Sequence, residues 1–249
     1  VNNPSTVILS NKRRETIVEI AQEYSKKAGR IIPVFFDKAY EDIIHNPEIE
    51  KPVSGLKFGK TDHVFEIGTL SKIFAPALRI GYIIGPDNDF AKILSQRTSD
   101  IGFSSPLINQ EIAGWLLNNY IQVQRENVNK GYQNKATFIK QLFSEHLGSY
   151  LESYTGGDAA FYFYLTFKNI RTNKNSRFFN YLSRTTGNLA VDGQSEKQPR
   201  LVYIPGTICS KTPKAKYQLR LSYGFEAPEV FERAVKLMAE ACAYACDEE

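Results

Sequence analysis

Lys72 and Arg79 stand seven residues apart in the largely apolar run TLSKIFAPALRIGY (residues 69–82), which contains no acidic residue. A cation in such a setting is costly unless it is paired, neutral or covalently engaged. The neutral amine of a lysine condenses with an aldehyde to an imine. Arginine is permanently charged, and its planar fork matches a phosphate.

An aldehyde and a phosphate on one small molecule describe pyridoxal phosphate, and that cofactor makes further demands. It withdraws electrons only while its pyridine nitrogen is protonated, so a carboxylate should stand beside that nitrogen. Asp37, directly after the apolar run IIPVFF (residues 31–36), is placed for this. Tyr40, three residues on, carries a hydroxyl that can donate to the ring oxygen. An α-amino acid substrate also needs a bidentate partner for its carboxylate. Arg220, alternating with apolar neighbours in YQLRLSYGF (residues 217–225), is an inward-pointing candidate. Taken singly, each residue has a plainer use: Asp37 as a helix cap or ion-pair partner, Tyr40 in packing, Arg79 and Arg220 in structural ion pairs.

The elements that must hold these residues can be read from periodicity. NKRRETIVEIAQEYSKKA (residues 11–28) carries Ile17, Ile20, Ala21 and Tyr24 at helical spacing, with Ser10 as a cap and Gly29 as a stop. Short apolar runs at 31–36, 63–68 and 79–85 then read as buried strands, each with polar residues at its end. Helix followed by such strands is the rhythm of an α/β domain with a mostly parallel sheet, where ligands gather beyond the strands' carboxyl ends. Residues 106–147 predict one long helix or two in succession. Beyond it, 156–167, 201–206 and 217–225 read as aromatic-rich strands, 192–200 as an exposed loop, and 227–245 as a closing helix. Residues 1–125 are thus expected to form one domain and 126–249 a smaller α+β domain, joined by the long helical segment. Gly156-Gly157 is a turn signal, and the aromatic run 161–165 is core or a pocket wall.

Composition narrows the classes. With 31 Lys and Arg against 27 Asp and Glu in 249 residues, the net charge of +4 is mild, and the basic residues form no stripe that would imply nucleic acid. No apolar run approaches the roughly 18 residues of a membrane span, and VNNPSTVILSNKRR has no signal-peptide plan, so a cytoplasmic protein is expected. Cys209, Cys242 and Cys246 suit reduced packing residues, and His45, His63 and His146 lack metal-ligand spacing, so no metal is expected.

The set NPST (residues 3–6), DKAY (37–40), TLSKIFAPALRIGY (69–82) and QLRLSYGF (218–225) resembles, in order, the motifs of class I/II aminotransferases of fold type I. The resemblance implies that Lys72 forms the Schiff base with pyridoxal phosphate and that Thr69 and Arg79 bind its phosphate. Asp37 is implied at the pyridine nitrogen, Tyr40 and Asn3 at the ring oxygen, and Arg220 at the substrate α-carboxylate. The chain resembles the C-terminal portion of such an enzyme, part of the large domain followed by the small one. NPST lacks the glycine of the family's N-P-T-G, and Ala77 stands for the glycine before Leu-Arg. The expected activity is amino-group transfer between an α-amino acid and a 2-oxo acid in a homodimer. Fold-type-I lyases and synthases share these motifs, as does the aminotransferase-like module of transcriptional regulators.

Overall fold

The computed structural model describes residues 1–58, 62–193 and 198–246. Contacts divide the chain into two compact units, one of Val1 and Ile8–Lys130, the other of Asn2–Val7 and Gly131–Glu249.

The first unit opens with α1 (Asn11–Ala28). The Ser10 side chain caps it by accepting from the Arg13 amide, and Gly29 ends it at φ 63°. The buried face differs from the expected one. Arg14, Val18, Ala21 and Ser25 are buried, whereas Ile17, Ile20 and Tyr24 are exposed. The helix meets Phe36 and Val64 through Val18, and Glu41 through Arg14, so its contact stripe follows its partners and not its largest apolar side chains.

Next come β1 (Val34–Asp37), β2 (Val64–Thr69) and β3 (Gly81–Ile84), in spatial order β1-β2-β3. β1 and β2 are parallel, with Asp37 opposite Ile67. β3 runs antiparallel, with Gly81 opposite Thr69, because residues 70–80 form a short return containing only a 3₁₀ turn, not a crossover helix. Asn88 caps α2 (Asp89–Ile101). The segment expected as one helix or two is a single helix, α3 (Leu107–Leu142), finished by a π-helical turn over Phe143–Leu147.

The second unit holds β4 (Leu151–Gly156), β5 (Tyr162–Phe167), α4 (Arg177–Ser183), α5 (Leu189–Asp192), β6 (Ile204–Pro205), α6 (Gly206–Cys209), β7 (Gln218–Ser222) and α7 (Pro228–Cys246). Its sheet is antiparallel, in the order β4-β5-β7-β6. The run read as one strand from residue 156 is the second half of a hairpin, and β4 was missed because most of its side chains are exposed. Gly156, at φ 117°, begins the turn; a Cβ there would lie 2.4 Å from the Tyr162 carbonyl. The strand expected over 201–206 contracts to β6, and part of the loop expected over 192–200, residues 194–197, lies outside the described residues. Alternate residues of β5 and β7 (Phe163, Leu165, Phe167, Leu219, Leu221) face Phe231, Val235, Met238 and Cys242 of α7 and Ile139 of α3 in one continuous core.

Among the described residues, no helix is long and apolar enough to cross a membrane, and no His, Cys, Asp and Glu cluster suits a metal. The cysteines are free, but only Cys242 packs internally; Cys209 and Cys246 are exposed. Burial, reinforced by Cys246, pushes the Cys242 thiol far up.

Candidate functional site

Parallel pairing of β1 and β2 sets their carboxyl ends at one sheet edge, and the candidate residues of the first unit collect there. Asp37 is the last residue of β1 and Thr69 the last of β2. The Lys38 amide continues the ladder by donating to the Ile67 carbonyl at 2.8 Å. The Asp37 side chain is exposed, and its Oδ1 accepts from the Ala39 amide at 2.9 Å, which bends the chain toward Tyr40. The Tyr40 ring is buried, and the half-buried Lys72 extends to it, with Nζ 5.8 Å from the ring centroid.

The Thr69 hydroxyl fastens the return between β2 and β3. It donates to the Ile80 carbonyl at 2.9 Å and accepts from the Ser71 amide at 3.1 Å, and the Leu70 amide donates to the same carbonyl. Pro76–Leu78 forms the 3₁₀ turn, closed by Arg79 in the left-handed region at φ 54°. The exposed Arg79 guanidinium folds back to the Pro76 carbonyl at 3.0 Å. Among the described residues, neither Lys72 nor Arg79 pairs with a carboxylate.

Asn3 and Arg220 belong to the second unit. Arg220 lies on β7 between Leu219 and Leu221, which enter the core, so it faces away from that core, contrary to the inward reading of its alternation. Its Nη1 donates to Asn3 Oδ1 at 2.9 Å, and its guanidinium carbon stands 4.5 Å from the Tyr162 ring centroid. Arg220 Nε is buried with no hydrogen-bond partner among the described residues. The segment bearing Asn3 is tied down by its own turn, with the Thr6 amide donating to Asn2, and by the Thr155 hydroxyl donating to the Ser5 carbonyl at 2.6 Å.

Sequence reasoning missed a set of charged residues on the opposite face of the first sheet. Glu66, 2% exposed, pairs with Phe36 in register, and Lys38 Nζ lies 2.9 Å from its carboxylate. Lys38 also stands 3.6 Å from Glu41, whose other oxygen pairs with the buried Arg14. Burial alone would raise the Glu66 carboxyl and lower the Lys38 amine. The Lys38 hydrogen bond, the Gly55 amide, the Lys38 charge and Ser54 outweigh it for Glu66, which stays below its ordinary range; Glu66 and Glu41 hold Lys38 above its own. The available signal was Glu66 itself, a lone acid inside the apolar strand HVFEIG, which demands a buried partner.

Residues 1–201 match the family Aminotransferase class I and II, and the chain belongs to that family. Among curated proteins, it is 27% identical to the uncharacterized HTH-type transcriptional regulator YisV of Bacillus subtilis, over 96% of this chain and 44% of that protein. It is also 27% identical to the uncharacterized aminotransferase SSO0104 of Saccharolobus solfataricus, over 61% of this chain and 33% of that protein. The α-aminoadipate aminotransferase LysN of Thermus thermophilus, solved with N-(5'-phosphopyridoxyl)-L-leucine, superposes with a TM-score of 0.75 at 17% identity, covering 97% of this chain and 56% of LysN. The architecture is therefore that of fold-type-I aminotransferases. The chain spans less than half the length of the curated relatives it matches.

Proposed function

We propose that this chain is the Lys72-bearing part of a pyridoxal-phosphate-dependent aminotransferase acting on an α-amino acid and a 2-oxo acid. The observation that carries this reading is the sheet edge: an amine, a phenol, a carboxylate, a hydroxyl and a guanidinium collect on two parallel strand ends and one short return. That donor set suits a molecule bearing an aldehyde, a phenolic oxygen, a pyridine nitrogen and a phosphate. Neither Lys72 nor Arg79 is committed to a carboxylate among the described residues, which leaves both available to it.

When bound, pyridoxal phosphate supplies an electron sink for the charge left at the substrate α-carbon. Lys72 Nζ then takes the α-proton and returns it as general base and acid. The Asp37 carboxylate holds a proton at the pyridine nitrogen, and the Tyr40 hydroxyl donates to the ring oxygen. The Thr69 hydroxyl and Arg79 guanidinium bind the phosphate, and the Arg220 fork is the carboxylate-binding candidate. Self-association as a homodimer belongs to the same proposal and is read by sedimentation.

A second reading, a cofactor-binding module in a transcriptional regulator, is favoured by the likeness to YisV along 96% of this chain. Amine transfer in the full-length protein separates the two. The enzyme reading expects transfer from some amino acid to a 2-oxo acid, and Lys72→Ala should lower it at least about a thousandfold. It also expects borohydride to trap the cofactor on the native protein and not on Lys72→Ala. Trapping on both alike removes Lys72 from the chemistry; trapping on the native protein alone, without transfer to any 2-oxo acid tried, favours the regulator.

A further inference from the structure

The charged set behind the sheet edge does more than fill space. Arg14, Glu41, Lys38 and Glu66 alternate in sign and join α1, the turn after β1, and β2. Lys38 and Glu41 bracket Ala39 and Tyr40, and Lys38 follows Asp37 directly, so the two inner members lie on the turn that presents the proposed cofactor residues. Its backbone is bonded at both ends, the Lys38 amide to Ile67 and the Glu41 amide to the Lys38 carbonyl at 3.0 Å. Glu66 is itself held, since its second oxygen accepts from the Gly55 amide at 2.8 Å.

Stability is a poor explanation for such an arrangement. Desolvating buried charges costs more than their attraction often returns, and well-packed apolar replacements are commonly neutral or stabilising. Arg14 Nη1 is moreover buried without a partner among the described residues. An ion pair does hold a direction and a distance that apolar packing leaves free. The alternation of the strand sends Asp37 and Lys38 to opposite faces, so fixing the Lys38 side chain from behind fixes where the Asp37 carboxylate and Tyr40 ring emerge in front.

We propose that Glu66 and Lys38, backed by Glu41 and Arg14, are positioning residues that set Asp37 and Tyr40 for the pyridoxal phosphate site. The inference rests on the function proposed above and deepens it. Neither Glu66 nor Lys38 touches the cofactor in this scheme; each acts through the turn.

The test uses the full-length protein and pyridoxal phosphate, with Glu66→Gln, Lys38→Met and Lys38→Arg, and Lys214→Ala as a control on the exposed Lys214–Glu152 pair. Glu66→Gln and Lys38→Met should each weaken cofactor binding on the order of tenfold, since small misplacements of positioned groups have effects of that size or larger. They should also move the pH midpoint of the bound cofactor's absorbance by about half a unit. Lys38→Arg should bring both readings back toward the native values, and Lys214→Ala should leave both unchanged. Without cofactor, amide exchange over residues 37–44 should quicken in the first two variants. Folded variants with native affinity, midpoint and exchange overturn the proposal. So does a Lys38→Arg as impaired as Lys38→Met. Failure of both Glu66→Gln and Lys38→Met to fold overturns it too, because the set would then be structural support for the whole unit. A native protein that binds no pyridoxal phosphate sinks the functional reading instead, while the exchange measurement still reports on the turn.

Discussion

The two units spend their apolar residues differently. In the second, one face of an antiparallel sheet meets α3, α4 and α7 in a continuous core, with Phe163, Leu165, Leu219, Val235 and Met238 fully buried. In the first, the apolar clusters around Val18, Phe36 and Val64 and around Leu70, Ile73 and Ala113 are small, while Tyr82, Ile83 and Ile84 of β3 are all exposed. Its largest fully buried side chain among the described residues is an arginine. The contrast shows a division of labour: the second unit is held by packing, whereas the first sets the residues proposed for chemistry on backbone ladders and directs them with buried ion pairs. Catalytic side chains need directions fixed by their neighbours, and an ion pair supplies one such constraint.

This contrast can be broken most sharply in the second unit. Phe163→Ala removes a ring 5.0 Å from Phe143 and 5.1 Å from Tyr223 by centroid. It should cost about 3–5 kcal/mol, read from urea unfolding with amide exchange across β5. A loss under about 1 kcal/mol would mean that the core yields far more than close packing allows.

Acid should act mainly on the first unit. Glu66 is held below its ordinary value of 4.5, so its stabilisation is complete above that pH and drains away as pH falls through the lowered value. Lys38, held above 10.5, has the opposite sign: its part is complete below that pH and is lost only as pH rises past the raised value. Amide protection across β1 and β2 should therefore fall on acidification before protection across β5 and β7, and Glu66→Gln should flatten that dependence. Equal acid sensitivity in the two sheets would count against the contrast.

The smallest effect is expected at β3. Ile83 is 51% exposed, and Ile83→Ser should change unfolding free energy by less than about 0.5 kcal/mol. A loss approaching that of Phe163→Ala would show that this strand is covered in solution.

Much of this was legible in the chain because it depends on neighbours. The Ser10 cap, the Gly29 stop and the 3.6-residue period of α1 are local, so the helix and its ends were readable. Its buried side was not, because Arg14 and Ser25 are inside for the sake of what they meet. β4 escaped notice for the related reason that a strand exposed along most of its length carries little apolar pattern. The spacing of Thr69, Lys72 and Arg79 likewise needs only one short return between two strands, which the residue types announce.

What the sequence by itself determined is the type and spacing of the candidate residues and the order of most elements, since position along a chain governs both. The tertiary structure alone decided that the first sheet closes with an antiparallel strand, that Arg220 turns away from the core to meet Asn3, and that Glu66 finds Lys38 across 28 positions. Those outcomes follow from burial and charge pairing between segments remote in sequence, energies that no local window contains.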